Sequence, residues 1–228
     1  MLKFYKNPMS NNARRVWIAL LEKQIEFEPV EIKLDGDQFT PEFIEINPFH
    51  HVPVLIDDGF KVIESLAILD YLEAKYPTPA LMPTDPQAIA TVRMIELVNV
   101  NELAPAIVTF MRHNLEIEVE AKKLEQAQKQ VATVMKFYSE KLGDQNYFVE
   151  GQFTVADIVA GLSVYFLSKI GVSLADYPSV QNWQTALQQR ESWQQVQPTP
   201  EEFEQNVRRI RPPGRRPRYA NVQVLKLP

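Results

Sequence analysis

At 228 residues with 45% hydrophobic side chains, the chain is long enough for one large domain or two small ones with ordinary buried cores. No stretch approaches the roughly 20 consecutive apolar residues that cross a bilayer, and the opening MLKFYKNP lacks the apolar centre of a secretory signal, so a cytoplasmic location without a membrane partner is expected. There is no cysteine, which excludes any mechanism needing a protein thiol; the net charge of −5 divides into a body at 17 basic against 29 acidic side chains and a segment, 207–228, with six arginines, one lysine and no acid, a distribution unlike that of a nucleic-acid-binding fold.

The first stretch, MLKFY, alternates as a short strand, and ARRVWIALLEKQ follows with helical spacing through Val16, Ala19 and Leu20. EFEPVEIKL alternates again, completing a βαβ unit. A polar stretch through Asp35, Gly36 and Asp37 leads to PEFIEI, a short helix with proline at its first position. In VPVLIDDGFKVIE, Asp57, Asp58 and Gly59 separate two apolar runs, so Val54–Ile56 is expected to pair with Phe60–Ile63 as a hairpin. From Ser65 a helical pattern runs to Pro77.

Residues 1–76 thus spell a small mixed sheet with helices, and 77–86, with four prolines, reads as a linker. Beyond it, 87–206 is all helix. Pro105 falls inside an apolar pattern over 88–111 and should kink that helix. Leu124, Ala127, Val131, Val134, Tyr138 and Leu142 recur every three or four residues, with Gly143 placed as a stop. In FTVADI, Thr154 and Asp157 have the spacing of a capping box, with Phe153 and Ile158 as its staple. The basic segment 207–228 reads as a solvated extension, or as arginines lying on the acidic body or on an anionic partner.

His50 and His51 raise the question of function. Adjacent side chains on extended backbone point to opposite faces, no cysteine is available, and His113 lies in the helical region, so no metal is expected. Pro53 pushes Val52 into extended geometry and allows a cis bond. Val52 would then show its N–H and C=O outward, a display that binds extended peptide.

SNNARRV at 10–16, PEFIEINPFHHVPVL at 41–55, DDGFKVIESLAILDYL at 57–72 and FTVADI at 153–158 together resemble the glutathione transferases, over about 200 residues. The resemblance implies a thioredoxin-like α/β domain of order βαβαββα followed by an all-α domain, in a homodimer. It implies glutathione as co-substrate, with no separate cofactor, and a small hydrophobic electrophile. Val52–Pro53 matches the family's cis-proline turn, which pairs with the cysteinyl part of glutathione, and Glu64 and Ser65 match the pair that holds its γ-glutamyl end. By the same resemblance His50 and His51 bind the glycyl carboxylate; imidazole donates one hydrogen bond when neutral and two when charged.

Ser10 is similar to the thiolate-stabilising serine of the phi, theta and delta branches, and Asn12 fits the bacterial, nu-like members that reduce disulfides and peroxides. Ser10 as an ordinary helix cap is the plain alternative. Arg14 and Arg15 are expected on a solvated face, with support of the site by one of them through an ion pair as the alternative, and Tyr5 in the core or at a strand end. Met9, Phe110 and Met111 are candidates for the electrophile site, although an aromatic or methionine at helical spacing also suits a core. Conjugation to an electrophile is the leading expectation. The alternatives are glutathione-dependent reduction of peroxides or disulfides, and a non-catalytic binding module.

Overall fold

The computed structural model describes residues 1–115 and 117–210, the side chains of 207–210 excepted. By its contacts the chain divides into one unit of Met1–Leu81 with Glu191–Arg209 and a second containing Met82–Arg190. Of the basic segment 207–228, only backbone as far as Ile210 is described; the expectations for its arginines lie outside the described residues.

In the first unit β1 (Leu2–Lys6) leads into α1 (Asn11–Glu22), and β2 (Glu28–Glu31) returns parallel to β1. β2 is shorter than the alternating run EFEPVEIKL suggests and contains Pro29, which has no N–H to donate; an edge position tolerates that loss. A 3-10 turn, Asp37–Phe39, fills the polar stretch, and Thr40 caps α2 (Pro41–Ile46) by accepting the Phe43 N–H at 3.3 Å.

The hairpin forms as expected between β3 (Val54–Asp57) and β4 (Phe60–Ile63), with Asp57 added to the first strand. Asp58 and Gly59 have φ of 46° and 91°, the pair of positive values that matches a tight turn to strand twist. The sheet order is β2-β1-β3-β4, and β1 pairs antiparallel with β3 through Tyr5 and Val54. α3 (Ser65–Lys75) follows β4.

Lys23, at the end of α1, is buried and ties down what comes next. Its ammonium donates to the carbonyls of Tyr76 and Pro79, each at 2.7 Å, and pairs with Glu73 at 2.6 Å. The first half of the proline-rich segment is therefore pinned to this unit.

α9 (Glu191–Gln195) and α10 (Pro200–Ile210) also group here, and polar contacts fasten α9 and the link after it to α1. Ser192 donates to Glu22 at 2.5 Å, and Arg14 donates to Gln197 at 2.8 Å. Arg14 and Arg15 are accordingly 4% and 5% exposed, not on a solvated face, since this side of α1 is covered by α3 and α9.

The second unit is helical: α4 (Pro86–Val98), α5 (Ala104–Asn114), α6 (Ala121–Leu142), α7 (Val155–Lys169) and α8 (Pro178–Gln188). A π turn, Asn99–Leu103, joins α4 to α5. Pro105 cannot donate to the carbonyl four residues back, and the wider turn just before it absorbs the interruption expected there. The whole run, Pro86–Asn114, has the length and composition to cross a membrane; here it packs against α6 and α7 as part of the core, with Glu96 buried beside Arg93.

α7 organises this core. Asp157, fully buried, accepts the Thr154 N–H at 2.9 Å and the Thr154 hydroxyl at 3.1 Å on one oxygen. The other oxygen takes the Phe148 N–H at 3.2 Å and the Trp183 indole at 2.9 Å. A capping box thus extends into a bond that holds α8 to α7. Burial pushes the Asp157 carboxyl up to about 6, against the pull of these four donors.

Asp157→Ala leaves two backbone N–H groups and an indole N–H buried without an acceptor, and should cost about 3–5 kcal/mol, lowering the thermal midpoint by about 10 °C. The pH dependence has a definite sign. With its folded value raised, Asp157 contributes most at pH below its unfolded value and loses that contribution as pH rises through about 6. Chemical denaturation from pH 4 to 7 should show wild type losing up to about 3 kcal/mol relative to Asp157→Asn. A flat difference across that range would contradict the assignment.

Candidate functional site

The candidate residues of the first unit sit on two loops of the same design, each opened by an asparagine–proline pair. Asn7 and Asn47 are both buried. Asn7 accepts the Met9 N–H on its side chain at 2.9 Å and the Ser10 N–H on its carbonyl at 3.0 Å. Its amide donates to the Ile32 carbonyl at 2.8 Å, tying the turn to the end of β2. Asn47 accepts the Phe49 N–H at 3.0 Å and the His50 N–H at 3.1 Å, and donates to the His51 carbonyl at 2.8 Å. One turn delivers Ser10 to the start of α1; the other delivers the histidines to the edge of β3.

His50 has a φ of 58°; its Nδ1 lies 3.3 Å from the Gln38 carbonyl and its ring centre 5.3 Å from that of Phe39. The 3-10 turn thus supports His50, whereas His51 is exposed. The Val52–Pro53 bond is cis. Among the described residues the Val52 N–H has no acceptor, and its carbonyl lies 3.5 Å from the Ser10 hydroxyl.

Ser10 does cap α1, accepting the Ala13 N–H at 3.2 Å. Capping uses a lone pair and leaves the proton, which points at the Val52 carbonyl over a distance too long for a strong bond. The first turn of α1 carries no acid, so its positive end is uncompensated. Asn12 stands exposed on the same turn.

At the start of α3, Glu64 is exposed with a φ of 68°, and Ser65 is 6% exposed. Arg15 donates to the Ser65 hydroxyl at 3.4 Å. That bond occupies a lone pair of Ser65 and leaves its proton for another acceptor, so Arg15 supports a candidate residue through a hydrogen bond to a hydroxyl, where the alternative expectation for it is an ion pair.

Tyr5 is half-buried on β1, its ring 6.3 Å from that of Phe43, as a strand tyrosine should be. Met9 is half-buried in the Asn7 turn. Phe110 is fully buried in the core of the helical unit, the plain alternative for an aromatic at helical spacing, and Met111 is half-buried there. A cavity of about 330 Å³ opens beside Met9, between the Asn7 turn, the chain leaving β2, and α10. No local pattern announces it, because α10 arrives from the far end of the sequence. Among the described residues, no group of three histidine, aspartate or glutamate side chains is placed to hold a metal.

Comparison with known proteins bears on the family. The glutathione S-transferase N-terminal domain model matches residues 4–80, and the C-terminal domain model matches 67–191. The chain is 34% identical over 192 residues to a maleylacetoacetate isomerase of Rattus norvegicus, covering 81% of this chain and 86% of that protein. It is 31% identical over 185 residues to a glutathione S-transferase of Drosophila melanogaster, covering 80% and 82%. A solved glutathione transferase homologue from Sulfitobacter with bound glutathione superposes with a TM-score of 0.73 at 27% identity, covering 86% of this chain and 96% of that one. A thioredoxin-like sheet unit, a helical unit and both domain matches in sequence order make this chain a member of the glutathione transferase family of enzymes.

Proposed function

We propose that the protein is a glutathione transferase that joins the glutathione thiolate to small electrophiles, with glutathione as co-substrate and no separate cofactor. The observation that carries this reading is the Ser10 hydroxyl at the positive end of α1, facing the Val52 carbonyl beside an unspent Val52 N–H. Val52 pairs backbone to backbone with the cysteinyl residue. Glu64 takes the γ-glutamyl ammonium, and Ser65 with the start of α3 takes its carboxylate. His50 and His51 hold the glycyl carboxylate. Cytoplasmic location and a homodimer complete the reading.

A free thiol titrates near 8.5 and is largely unreactive at neutral pH. A hydroxyl proton and a helix terminus aimed at the sulfur lower that value by roughly 2 units, worth about 2.7 kcal/mol. A second reading, isomerisation of a conjugated double bond by reversible addition of the same thiolate, is favoured by the 34% identity to maleylacetoacetate isomerase. Both readings use one thiolate and differ in whether the adduct is released or decomposes.

Ser10→Ala should lower kcat/KM with an aryl halide about 100-fold and raise the pKa of bound glutathione, followed by thiolate absorbance. Asn12→Ala should cost less than tenfold; the reverse ranking would move the chemistry to Asn12 and favour the reductase alternative.

His51→Ala should raise KM for glutathione about tenfold with little change in kcat, as loss of a hydrogen bond to a carboxylate does when it is made equally in ground and transition states. An unchanged KM would remove His51 from the site.

A further inference from the structure

The cavity beside Met9 has a mixed lining of apolar and charged side chains. Met9 and Leu34 supply apolar surface, but Glu31 and Asp35 from the chain leaving β2, and Glu202 from α10, face it against Lys33. Behind it Lys6 is 8% exposed, its ammonium 3.9 Å from the centre of the Trp17 ring. Burial lowers the Lys6 pKa, while Glu31 and Glu202 oppose that shift. Lys6 therefore offsets part of the charge of those two carboxylates. Three carboxylates against two ammonium groups leave the wall acidic, and the side-chain amides of Gln205 and Asn206 add further polar surface.

Glu202 is held in place. Its carboxylate accepts the Thr199 N–H at 2.6 Å, and its own N–H donates to the Thr199 hydroxyl at 3.2 Å, a capping box at the start of α10. An apolar ligand entering here could cover Met9 and Leu34 but would strip water from the carboxylates without giving them a donor. A carboxylate ligand would meet like charge. A group that donates hydrogen bonds satisfies the wall.

We propose that this cavity receives the hydrogen-bond-donating end of the second substrate, an ammonium- or amide-bearing electrophile, with Glu31, Asp35 and Glu202 as the specificity-determining carboxylates. Calling the ligand a substrate rests on the transferase reading, in which Met9, on the cavity wall, directly precedes Ser10 in the chain. The charge preference itself rests only on the wall. It narrows the hydrophobic electrophile that the family resemblance implies to one with a polar end.

The test is equilibrium binding, by calorimetry, of unreactive para-substituted nitrobenzenes: nitrobenzylammonium, nitrobenzamide, nitrotoluene and nitrobenzoate. The ammonium and amide should bind about tenfold tighter than the benzoate, with the toluene below both donors. Glu202→Gln, which keeps a residue suited to the capping box, should weaken the ammonium about fivefold and leave the toluene unchanged. Benzoate or toluene binding as tightly as the ammonium would overturn the proposal, as would an unchanged ranking in the Glu202→Gln, Asp35→Asn double variant. If the double variant does not fold, the wild-type ranking alone decides.

Turnover of the corresponding chloronitrobenzenes is read separately. There the thiolate forms a carbon–sulfur bond and chloride leaves with the electron pair. No turnover on any of them would sink the transferase reading while leaving the binding order to speak for the cavity.

Discussion

A loop that leaves backbone groups outside its sheet must still hold them in place. In this chain two buried asparagines meet that demand. Asn7 and Asn47 each follow a structural element, precede a proline, and close the next turn with one side-chain and one main-chain hydrogen bond. Each then donates its amide to a carbonyl further along, Ile32 in one case and His51 in the other. The proline has no N–H to satisfy, and the asparagine satisfies the two that follow. Val52 and Ser10 reach the same place because both loops are closed from within.

Much of this architecture was legible because its signals are local. Asp58–Gly59, Thr40–Pro41 and Thr154–Asp157 each fit within four residues, and each formed the turn or cap that its chemistry dictates. The asparagine–proline pairs are just as local, but what their side chains bond to is not written beside them. Arg14 and Arg15 were misread for a different reason. Helical spacing shows which residues share a face and not what covers it; Gln197 lies 183 positions from Arg14 and Ser65 lies 50 from Arg15. The grouping of α9 and α10 with the sheet unit, and the cavity they help enclose, were invisible on the same account.

The helical unit shows how a local interruption and a buried charge are absorbed by packing. Pro105 removes a donor from a helix interior, and one wide turn before it lets the run continue into α5. Asp157 is a carboxylate in an apolar core, which is tolerable only because four donors converge on it. The same residue that starts α7 also fixes Trp183, whose ring stacks edge-on with Phe148 at 4.9 Å between centres. Capping and core packing are here a single feature of the motif FTVADI.

The electrostatics of the first unit have two opposed ends. At the start of α1 there is no acid in the first turn, and hydroxyl and amide groups favour negative charge. Past Met9 the wall is acidic, and a carboxylate near a thiolate opposes its formation. On the proposed reading, with the sulfur at Ser10, a cation seated against that wall would ease ionisation of the thiol, and the two events would favour one another by linkage. Lys6, held against Trp17, already offsets part of the charge of Glu31 and Glu202, so the wall is acidic without being uncompensated.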